Sequence, residues 1–518
     1  MTTTTHPAYR EATALLREHA PDLVTPFREA VPRATDTVAR RLLGALHREG
    51  LARWTGPGTR HAFDRVEPDL STTSTRDVAD LVTDPGLAAE LTSAVVNLAL
   101  AYARPRPPSA GADPDGHALD LERRAIDGHN LHPCGRTRLG WDVADSLRHD
   151  VEGGHTPVAF VAVHRGLMTG DDLGAALADA YPGVPTAPPG YVVQPVHPWQ
   201  RDAVLRRRHA ALYRTGALRD LDGTLPAAPT AALRTLLLPP GRDGRRRYVK
   251  VALDVLVTST RRTISTASAR NGPVLSALLG RLRTDGRVLL LAETHGAALT
   301  TGDGRDASAI LRDGLSDLLE PGVTAVPGCA LPVAEVLGPL VAAHPGGARG
   351  FLADYARLLL PPVVTLAARY GIGFEAHLQN CLPTFKNGRP HRIVLRDLAG
   401  LRLHPGRLAA AGHRVSLWPG SVVVTDDVDV MRAKVAYTAL QAHLGELVIR
   451  LDLDEGEAWR EVRAALDEAY EPLMGSPDAR ADHAFLTAPR VPHKALVRMR
   501  LAGSGDVYVP VQNPLHGR

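Results

Sequence analysis

The segment from residue 371 to residue 400 restricts the fold more than any other part of the chain. Its first part alternates apolar and polar residues, and this period of two predicts a strand over 374–379 with its polar side chains on one face. Asn387-Gly388 then predicts a type I′ turn, and the apolar residues 393–395 predict a returning strand. The sequence therefore predicts a tight hairpin.

Such a hairpin would bring four polar side chains into one neighbourhood: Glu375, His377, Asn380 and Asp397. Carboxylate and amide oxygens are the ligands that hard cations prefer. The predicted ligands of an Mg²⁺ ion that binds together with nucleotide phosphates are therefore Glu375, Asn380 and Asp397.

Bulk composition is typical of a soluble globular protein. The chain has 518 residues, with 44% hydrophobic and 22% charged residues, so we expect about two to four domains or lobes. No window of about 18 uninterrupted apolar residues predicts a membrane span, and the N-terminus lacks an export signal. Cys134, Cys329 and Cys381 have no CxxC spacing, which argues against disulfides or a zinc ribbon. We expect a cytoplasmic protein without a membrane partner.

The charge pattern favours small anionic ligands over nucleic acid. The net charge is only +4 and aromatic residues make up 4% of the chain, whereas a nucleic-acid protein usually interleaves a basic stripe with aromatics. Only four basic residues are lysines: Lys250, Lys386, Lys434 and Lys494. In a chain so biased towards arginine, a lysine is either a chance survivor or a compact point charge that the protein needs.

Helical and strand patterns predict an α+β chain. Residues 8–103 are mainly helical, 104–116 form a loop rich in Pro and Gly, and 117–335 mix strands with helices. Helices at 351–370 and 430–450 flank the hairpin. We predict a helical part at 1–116 and two lobes with sheets at 117–335 and 336–518.

Three further segments carry candidate binding residues. Residues 128–140 offer His132, Arg136 and Arg138 to an anion; a polar surface loop is the alternative, and Pro133 disfavours a helical His-x-x-His metal site. The hydroxyls and arginines of 258–263 are typical of a phosphate or carboxylate cradle. A predicted strand over 492–501 would aim Lys494 into a cleft.

Common nucleotide-binding and hydrolase motifs are missing from the sequence. It contains no GxxxxGK[ST] loop, no GxGxxG after a strand and no GxSxG elbow. Neither a P-loop fold nor a Rossmann fold is supported, so ATP would bind in a less common fold.

Six segments in this order resemble the NRPS-independent siderophore synthetases, the IucA/IucC family, over roughly 120–500. They are the His-rich loop 128–140, Pro-Val-His-Pro-Trp-Gln at 195–200, the Lys…Thr-Ser…Arg-Thr strand at 250–263, Glu-Ala-His-x-Gln-Asn at 375–380, Arg-Asp at 396–397, and Lys-Ala-Leu…Met-Arg-Leu at 494–501. The resemblance implies a cupped-hand fold, usually dimeric, with a thumb (1–116), fingers that bind the ATP phosphates (117–335) and a palm for Mg-nucleotide and substrate (336–518). It also implies a ligase that uses ATP and Mg²⁺ to adenylate a carboxylate of citrate or a related polycarboxylic acid. The acyl group would then pass to an amine or hydroxyl, with release of AMP and pyrophosphate.

The resemblance also assigns roles to individual residues. The residues that would contact ATP are His132, Arg136, Arg138, Ser259, Thr260, Arg262 and Asn380. The catalytic residues would be His132, Arg262 and His377, and the substrate carboxylates would face His377, Arg396 and Lys494. The metal would be bound by Glu375, Asn380 and Asp397. Arg136 stands where the family usually has lysine, and a guanidinium replaces a point charge only with altered geometry. The role of Arg136 therefore stays open.

Two alternatives compete with the synthetase. The Glu375-x₄-Asn380 spacing, with Asp397 after a hairpin, is similar to the acid, Asn and Asp of a kinase-like small-molecule phosphotransferase. Against it, no glycine-rich loop precedes a Val-Ala-x-Lys strand. A binding protein without activity is the second alternative, and the complete polar set argues against it.

Overall fold

The computed structural model describes residues 6–71, 77–258, 260–284, 286–302, 304–503 and 505–517. Its helices are α1 (Pro7–His19), α2 (Val24–Arg48), α3 (Pro85–Ala103), α4 (Pro114–Glu122), α5 (Val143–His149), α6 (Leu173–Ala178), α7 (Arg206–Arg208), α8 (Ala210–Arg214), α9 (Thr266–Leu279), α10 (Ala334–Ala343), α11 (Gly347–Tyr370), α12 (Pro405–Ala410), α13 (Val428–Val435), α14 (Gly445–Arg450), α15 (Glu455–Tyr470), α16 (Pro477–Leu486) and α17 (Leu496–Ala502). A π-helical stretch, Ala436–Leu444, joins α13 to α14.

Its strands are β1 (Gly58–His61), β2 (Arg65–Pro68), β3 (Val158–His164), β4 (Met168–Gly170), β5 (Tyr191–Val196), β6 (Leu218–Leu225), β7 (Ala228–Pro229), β8 (Thr235–Leu237), β9 (Arg247–Val251), β10 (Leu256–Val257), β11 (Thr260–Arg261), β12 (Val288–Leu290), β13 (Glu293–Leu299), β14 (Ala309–Asp313), β15 (Thr324–Ala325), β16 (Ile372–Gly373), β17 (Cys381–Lys386), β18 (Arg389–Leu395), β19 (Arg402–Leu403), β20 (Arg490–Lys494) and β21 (Tyr508–Gln512). Helices and strands alternate without a regular order, as the α+β prediction expected.

The N-terminal part packs α1, α2 and α3 around their own apolar core. Helix α3 begins at Pro85, because the Asp84 carboxylate accepts a hydrogen bond from the Leu87 N–H and Pro85 occupies the first turn. Two helices, α3 and α11, are long and apolar enough to cross a membrane, but 61% and 78% of their most apolar windows are buried inside the protein. Both helices form part of its core.

A six-stranded sheet lies in the middle of the chain, in the order β4-β13-β14-β9-β8-β7. Strands β13, β14 and β9 are antiparallel neighbours, and Glu293 lies directly opposite Arg312. The register thus places Lys250, Glu293 and Arg312 on three adjacent strands.

The predicted hairpin forms within a second sheet, in the order β12-β18-β17-β15. Asn387 and Gly388 both have positive φ, 53° and 73°, as a type I′ turn requires, so this prediction is confirmed. Strands β12 and β15 precede residue 335 while β17 and β18 follow it, so one sheet joins the two predicted lobes. The lobe boundaries stay predictions.

Two predicted strands are wrong. Residues 374–379 form turns instead, with Ala376 N–H bonded to Phe374 O and Asn380 N–H to His377 O. Burial still alternates along them, which explains why the sequence has a period of two. The predicted strand 492–501 stops at the end of β20, and the chain continues as helix α17.

Candidate active site

Asp397 stands immediately after β18, at the end of the hairpin. Its backbone has a φ of +65°, a left-handed conformation that a residue other than glycine adopts at a cost of about 1–3 kcal/mol. Both carboxylate oxygens accept hydrogen bonds of 2.8 Å from Lys250 Nζ, and Arg312 lies 3.7 Å away. Although burial opposes ionisation, Lys250 and Arg312 hold the Asp397 pKa far below its usual range.

Lys250 reaches Asp397 from inside the six-stranded sheet. The lysine is 1% exposed, and its Nζ lies 3.8 Å from Glu293, which in turn accepts a hydrogen bond of 3.2 Å from Arg312. Burial lowers the pKa of Lys250, whereas the charges of Asp397 and Glu293 raise it. The hairpin end is therefore joined to the sheet by a buried ion-pair network.

Glu375 is held in a second lysine pair. Lys434 Nζ, on α13, donates a hydrogen bond of 2.9 Å to Glu375 Oε1. Burial tends to raise the Glu375 pKa, but Lys434 and His377 hold it below its usual value. A Cβ atom on Gly400 would stand 1.8 Å from Glu375 Oε2, so the carboxylate needs glycine at that position.

His377 lies beside this carboxylate, with Nε2 3.9 Å from Glu375 Oε2. Burial lowers the His377 pKa, so the ring is neutral near pH 7. Asn380 closes the turn with two hydrogen bonds. Its side-chain amide donates to the backbone carbonyl of Glu375 at 3.2 Å, and its backbone carbonyl accepts from the Arg396 N–H at 3.0 Å. The hydrogen bonds of Asn380 thus connect the Glu375 turn to the residue before Asp397.

Two arginines face this acidic region without a carboxylate partner in the described ranges. Arg262 donates only to Thr258 Oγ1 at 3.1 Å, and its Nε is buried without a partner. Burial and the neighbouring charges of Arg234 and Arg138 lower the Arg262 pKa to about 10. Arg234 donates to the carbonyls of Arg262 and Thr263, at 2.8 and 2.6 Å, and so fixes the segment that carries Arg262, which follows β11. We call Arg234 and Arg262 the arginine cradle.

The His-rich loop supplies a neutral donor and two paired cations. His132 Nδ1 accepts from the Cys134 N–H at 3.0 Å, which puts the ring proton on Nε2, and burial lowers its pKa to about 3. Arg136 donates 2.8 Å to Glu152, and Arg138 donates 2.8 and 3.3 Å to Asp150. These ion pairs make both arginines supports of the loop, although the charge of Arg138 still acts on Arg262.

Of the remaining predicted residues, one borders the site and the others are engaged elsewhere, exposed or outside the described residues. Lys494 Nζ pairs with Asp506 at 2.9 Å, and its charge acts on Glu375 and His132, so it borders the site. Arg396 is buried and donates 2.9 Å to Glu122, so its guanidinium is already engaged. Thr260 is exposed on β11. Ser259 lies outside the described residues.

Sequence reasoning assigned no site role to Lys434, Arg234, Arg312 or Gly400. Lysine rarity was a usable signal, because Lys250, Lys434 and Lys494 all border the site, whereas Lys386 pairs with Glu320 on the surface. Arg234 and Gly400 had no signal, since only the fold brings them to the cradle and to Glu375.

Comparison with known proteins agrees with this fold. Residues 117–333 match the sequence model of the IucA / IucC family, and 349–508 match that of the ferric iron reductase FhuF-like transporters. The chain is thus similar to the IucA/IucC family in its central part. Among curated relatives, D-ornithine–citrate ligase of Staphylococcus aureus is 22% identical over 98% of this chain and 97% of its own. Staphyloferrin A synthase of the same organism is 27% identical over 62% of this chain and 57% of its own.

Solved structures of the family confirm the predicted fold class. The petrobactin biosynthesis protein AsbB of Bacillus anthracis superposes with a TM-score of 0.79, at 20% identity, over 99% of this chain and 98% of its own. The aerobactin synthetase IucC of Klebsiella pneumoniae gives a TM-score of 0.73, at 18% identity, over 94% of this chain and 98% of its own.

Proposed function

We propose that this protein is a member of the IucA/IucC family and an ATP-dependent siderophore synthetase. It adenylates one carboxylate of citrate, or of a related polycarboxylic acid, and condenses the acyl group with an amine or hydroxyl. One structural observation carries the proposal: the arginine cradle has no carboxylate partner in the described ranges, and it lies beside the Glu375 turn and Asp397. The relatives support it by name, since one is a D-ornithine–citrate ligase and another a citryl-spermidine:spermidine ligase.

The first half-reaction needs cations around a polyphosphate. A carboxylate oxygen of the acid attacks the α-phosphorus of ATP, the bond to the β-phosphate oxygen breaks, and pyrophosphate leaves with the electron pair. Arg262, with Arg234 behind it, stabilises the charge that develops on the phosphates. His132 contributes a neutral Nε2–H donor. One neighbour, the aerobactin synthetase IucA of Klebsiella pneumoniae, was solved with ATP bound.

The second half-reaction needs a base. The amine nitrogen attacks the acyl carbon, the bond to the phosphate oxygen breaks, and AMP leaves while the amine loses a proton. His377 is neutral near pH 7 and lies 3.9 Å from Glu375, so it is suited to take that proton and to be stabilised once charged. Lys494 and His377 are the proposed contacts of the substrate carboxylates.

Mg²⁺ would be held by Glu375 and Asp397, together with Asn380 and the nucleotide. Within the described ranges no group of three or more His, Cys, Asp or Glu forms a metal cage, which suits a cation that arrives with phosphate oxygens. Glu375 Oε1 accepts from Lys434, whereas the one polar partner of Oε2 among the described residues is His377 at 3.9 Å, so Oε2 fits a hard cation. Bound there, Mg²⁺ would neutralise phosphate charge. A homodimeric state and a cytoplasmic location complete the proposal.

Product analysis tests this function. The purified protein is incubated with ATP, Mg²⁺, a panel of polycarboxylic acids and a panel of amines, and the nucleotide products are separated. We expect acid-dependent pyrophosphate and AMP. Formation of ADP instead would favour the phosphotransferase, and the absence of both products for every acid would leave the synthetase unsupported.

A further inference from the structure

A cavity lies beside the site and contains an arginine that has no hydrogen bond or ion pair among the described residues. Its volume is about 660 Å³, and it lies between α2, the β1–β2 hairpin and the start of the His-rich loop. Leu131 and His493 line it, and each directly precedes a site residue, His132 and Lys494. We call this cavity the α2 pocket.

Arg48, the last residue of α2, projects its charge into this pocket. No hydrogen bond or ion pair holds its side chain in the described ranges, and its Nε is buried without a partner. Burial and the neighbouring charge of Arg65 lower the Arg48 pKa to about 9. An uncompensated, largely desolvated cation is costly unless an anion completes it.

Three nearby carboxylates of the described residues do not complete it, because each accepts from other groups; Asp64, for example, accepts from the Gln512 N–H at 3.0 Å. Glu49 accepts from the N–H groups of Val497 and Arg498, at 3.0 and 2.7 Å. Glu446 accepts from Arg65 at 2.6 Å and from Arg450 at 2.8 Å. The pocket therefore offers a cation that has no carboxylate partner in the part of the chain that the structure describes.

Tyr437 connects the α2 pocket to the site. Its ring packs with Leu131 and lies 5.4 Å from that of His493, and its hydroxyl is buried without a partner. The charges of both Arg48 and Glu375 act on this hydroxyl, so Tyr437 stands between the pocket and the acidic half of the site. A ligand that spans them would meet a cation at one end and His377 at the other.

We propose that the α2 pocket binds the carboxylate of the nucleophilic substrate, which makes this enzyme selective for amines that carry a carboxylate, such as diamino acids. The inference rests on the proposed function and names its second substrate class. Arg48 pairs with the carboxylate, Tyr437 Oη donates to it, and the amine at the other end of the molecule faces His377. A plain diamine lacks the group that Arg48 recognises.

The test separates adenylation of the carboxylic acid from binding of the amine. Arg48→Gln and a control, Arg28→Gln, which alters an exposed arginine on the same helix, are compared with the unaltered chain. Citrate-dependent exchange of labelled pyrophosphate into ATP reports the first half-reaction, and amide formation with ornithine or with butane-1,4-diamine reports the second. We expect unchanged exchange and an apparent KM for ornithine raised about tenfold or more in Arg48→Gln alone. The diamine should react equally poorly with all three proteins.

Other outcomes overturn the inference. If Arg48→Gln raised the KM for citrate in the exchange assay, the α2 pocket would bind the polycarboxylic acid instead. If the unaltered chain used ornithine and the diamine equally well, the enzyme would not be selective for amines that carry a carboxylate. No exchange in any protein would instead count against the proposed function. The melting temperature gives an independent reading, since Arg48→Gln should keep or raise it. A drop of several degrees, absent in Arg28→Gln, would make Arg48 a structural cap of α2 and end the proposal.

Discussion

The acidic and basic halves of the site differ in how their charges are satisfied. In the acidic half, Asp397 and Glu375 each have a lysine at 2.8–2.9 Å. In the basic half, Arg234 and Arg262 have only hydroxyl and carbonyl acceptors among the described residues. The carboxylates are therefore fixed before any ligand arrives, whereas the arginine cradle is left to be completed by a polyanion.

The largest expected effect comes from Asp397→Asn. Activity should fall by about 100-fold or more, and stability by about 3–5 kcal/mol, because Lys250 is left buried without its carboxylate. Pyrophosphate release and chemical denaturation measure the two effects. Combining it with Lys250→Met should restore stability but not activity.

Lys386→Met is the matched control, because it breaks an exposed lysine–carboxylate pair with Glu320. It should cost less than about 1 kcal/mol. If Asp397→Asn were equally mild, the acidic half would not depend on its lysine.

Arg262→Gln should separate activity from stability. We expect pyrophosphate release to fall by about 100-fold and the KM for ATP to rise, because a phosphate contact is lost. The melting temperature should stay level or rise, since no carboxylate is orphaned. A loss of stability comparable to that of Asp397→Asn would abolish the contrast between the halves.

Gly400→Ala probes the geometry of the acidic half without changing any charge. The new methyl group would overlap Glu375 Oε2, so the carboxylate must move away from Lys434. Activity should fall by about tenfold, since small displacements of a positioned group are costly. Gly338→Ala, a position with nothing within 4 Å, is the control and should leave turnover unchanged.

Lowering the pH should first destabilise the packing beneath the basic half of the site. Trp141 packs with Leu253 and Val255 beneath the cradle and touches His149, whose pKa burial lowers to about 4. Between about pH 4 and 6.5, His149 is protonated in the unfolded chain but neutral in the folded protein. The free energy of unfolding therefore decreases as the pH falls below about 6.5. The Asp397 pair persists throughout that window, because its pKa lies far below it.

The measurement is the melting temperature between pH 7 and pH 5. His149→Gln should flatten its decline, and His19→Gln, an exposed control on α1, should not. An unchanged slope in His149→Gln would assign the acid sensitivity to other groups.

Local patterns predicted the hairpin correctly and the approach to it incorrectly. Asn387-Gly388 specifies its turn by its own backbone preferences, so no distant contact was needed. At 374–379 the alternation was real, but it recorded which side chains are buried and not a pleated strand. Periodicity alone does not separate the two cases.

The predicted site residues show the same division. Glu375, His377 and Asn380 lie within one turn and were found together from spacing. Arg396 was assigned to substrate by resemblance, yet it donates to Glu122, far away in the chain. Sequence spacing contains no information about such a partner.

The sequence by itself determined the hairpin turn and the types of side chain that can bind a nucleotide and a carboxylic acid, and it carries the resemblance to the IucA/IucC family. Only the tertiary structure decided which of those charges are neutralised, because ion pairs such as Lys250–Asp397 join a strand of one sheet to the segment that follows a strand of another. It also decided that, among the described residues, Arg262 and Arg48 have no carboxylate partner. Desolvation depends on everything packed around a charge, and that is a property of the fold and not of any local segment.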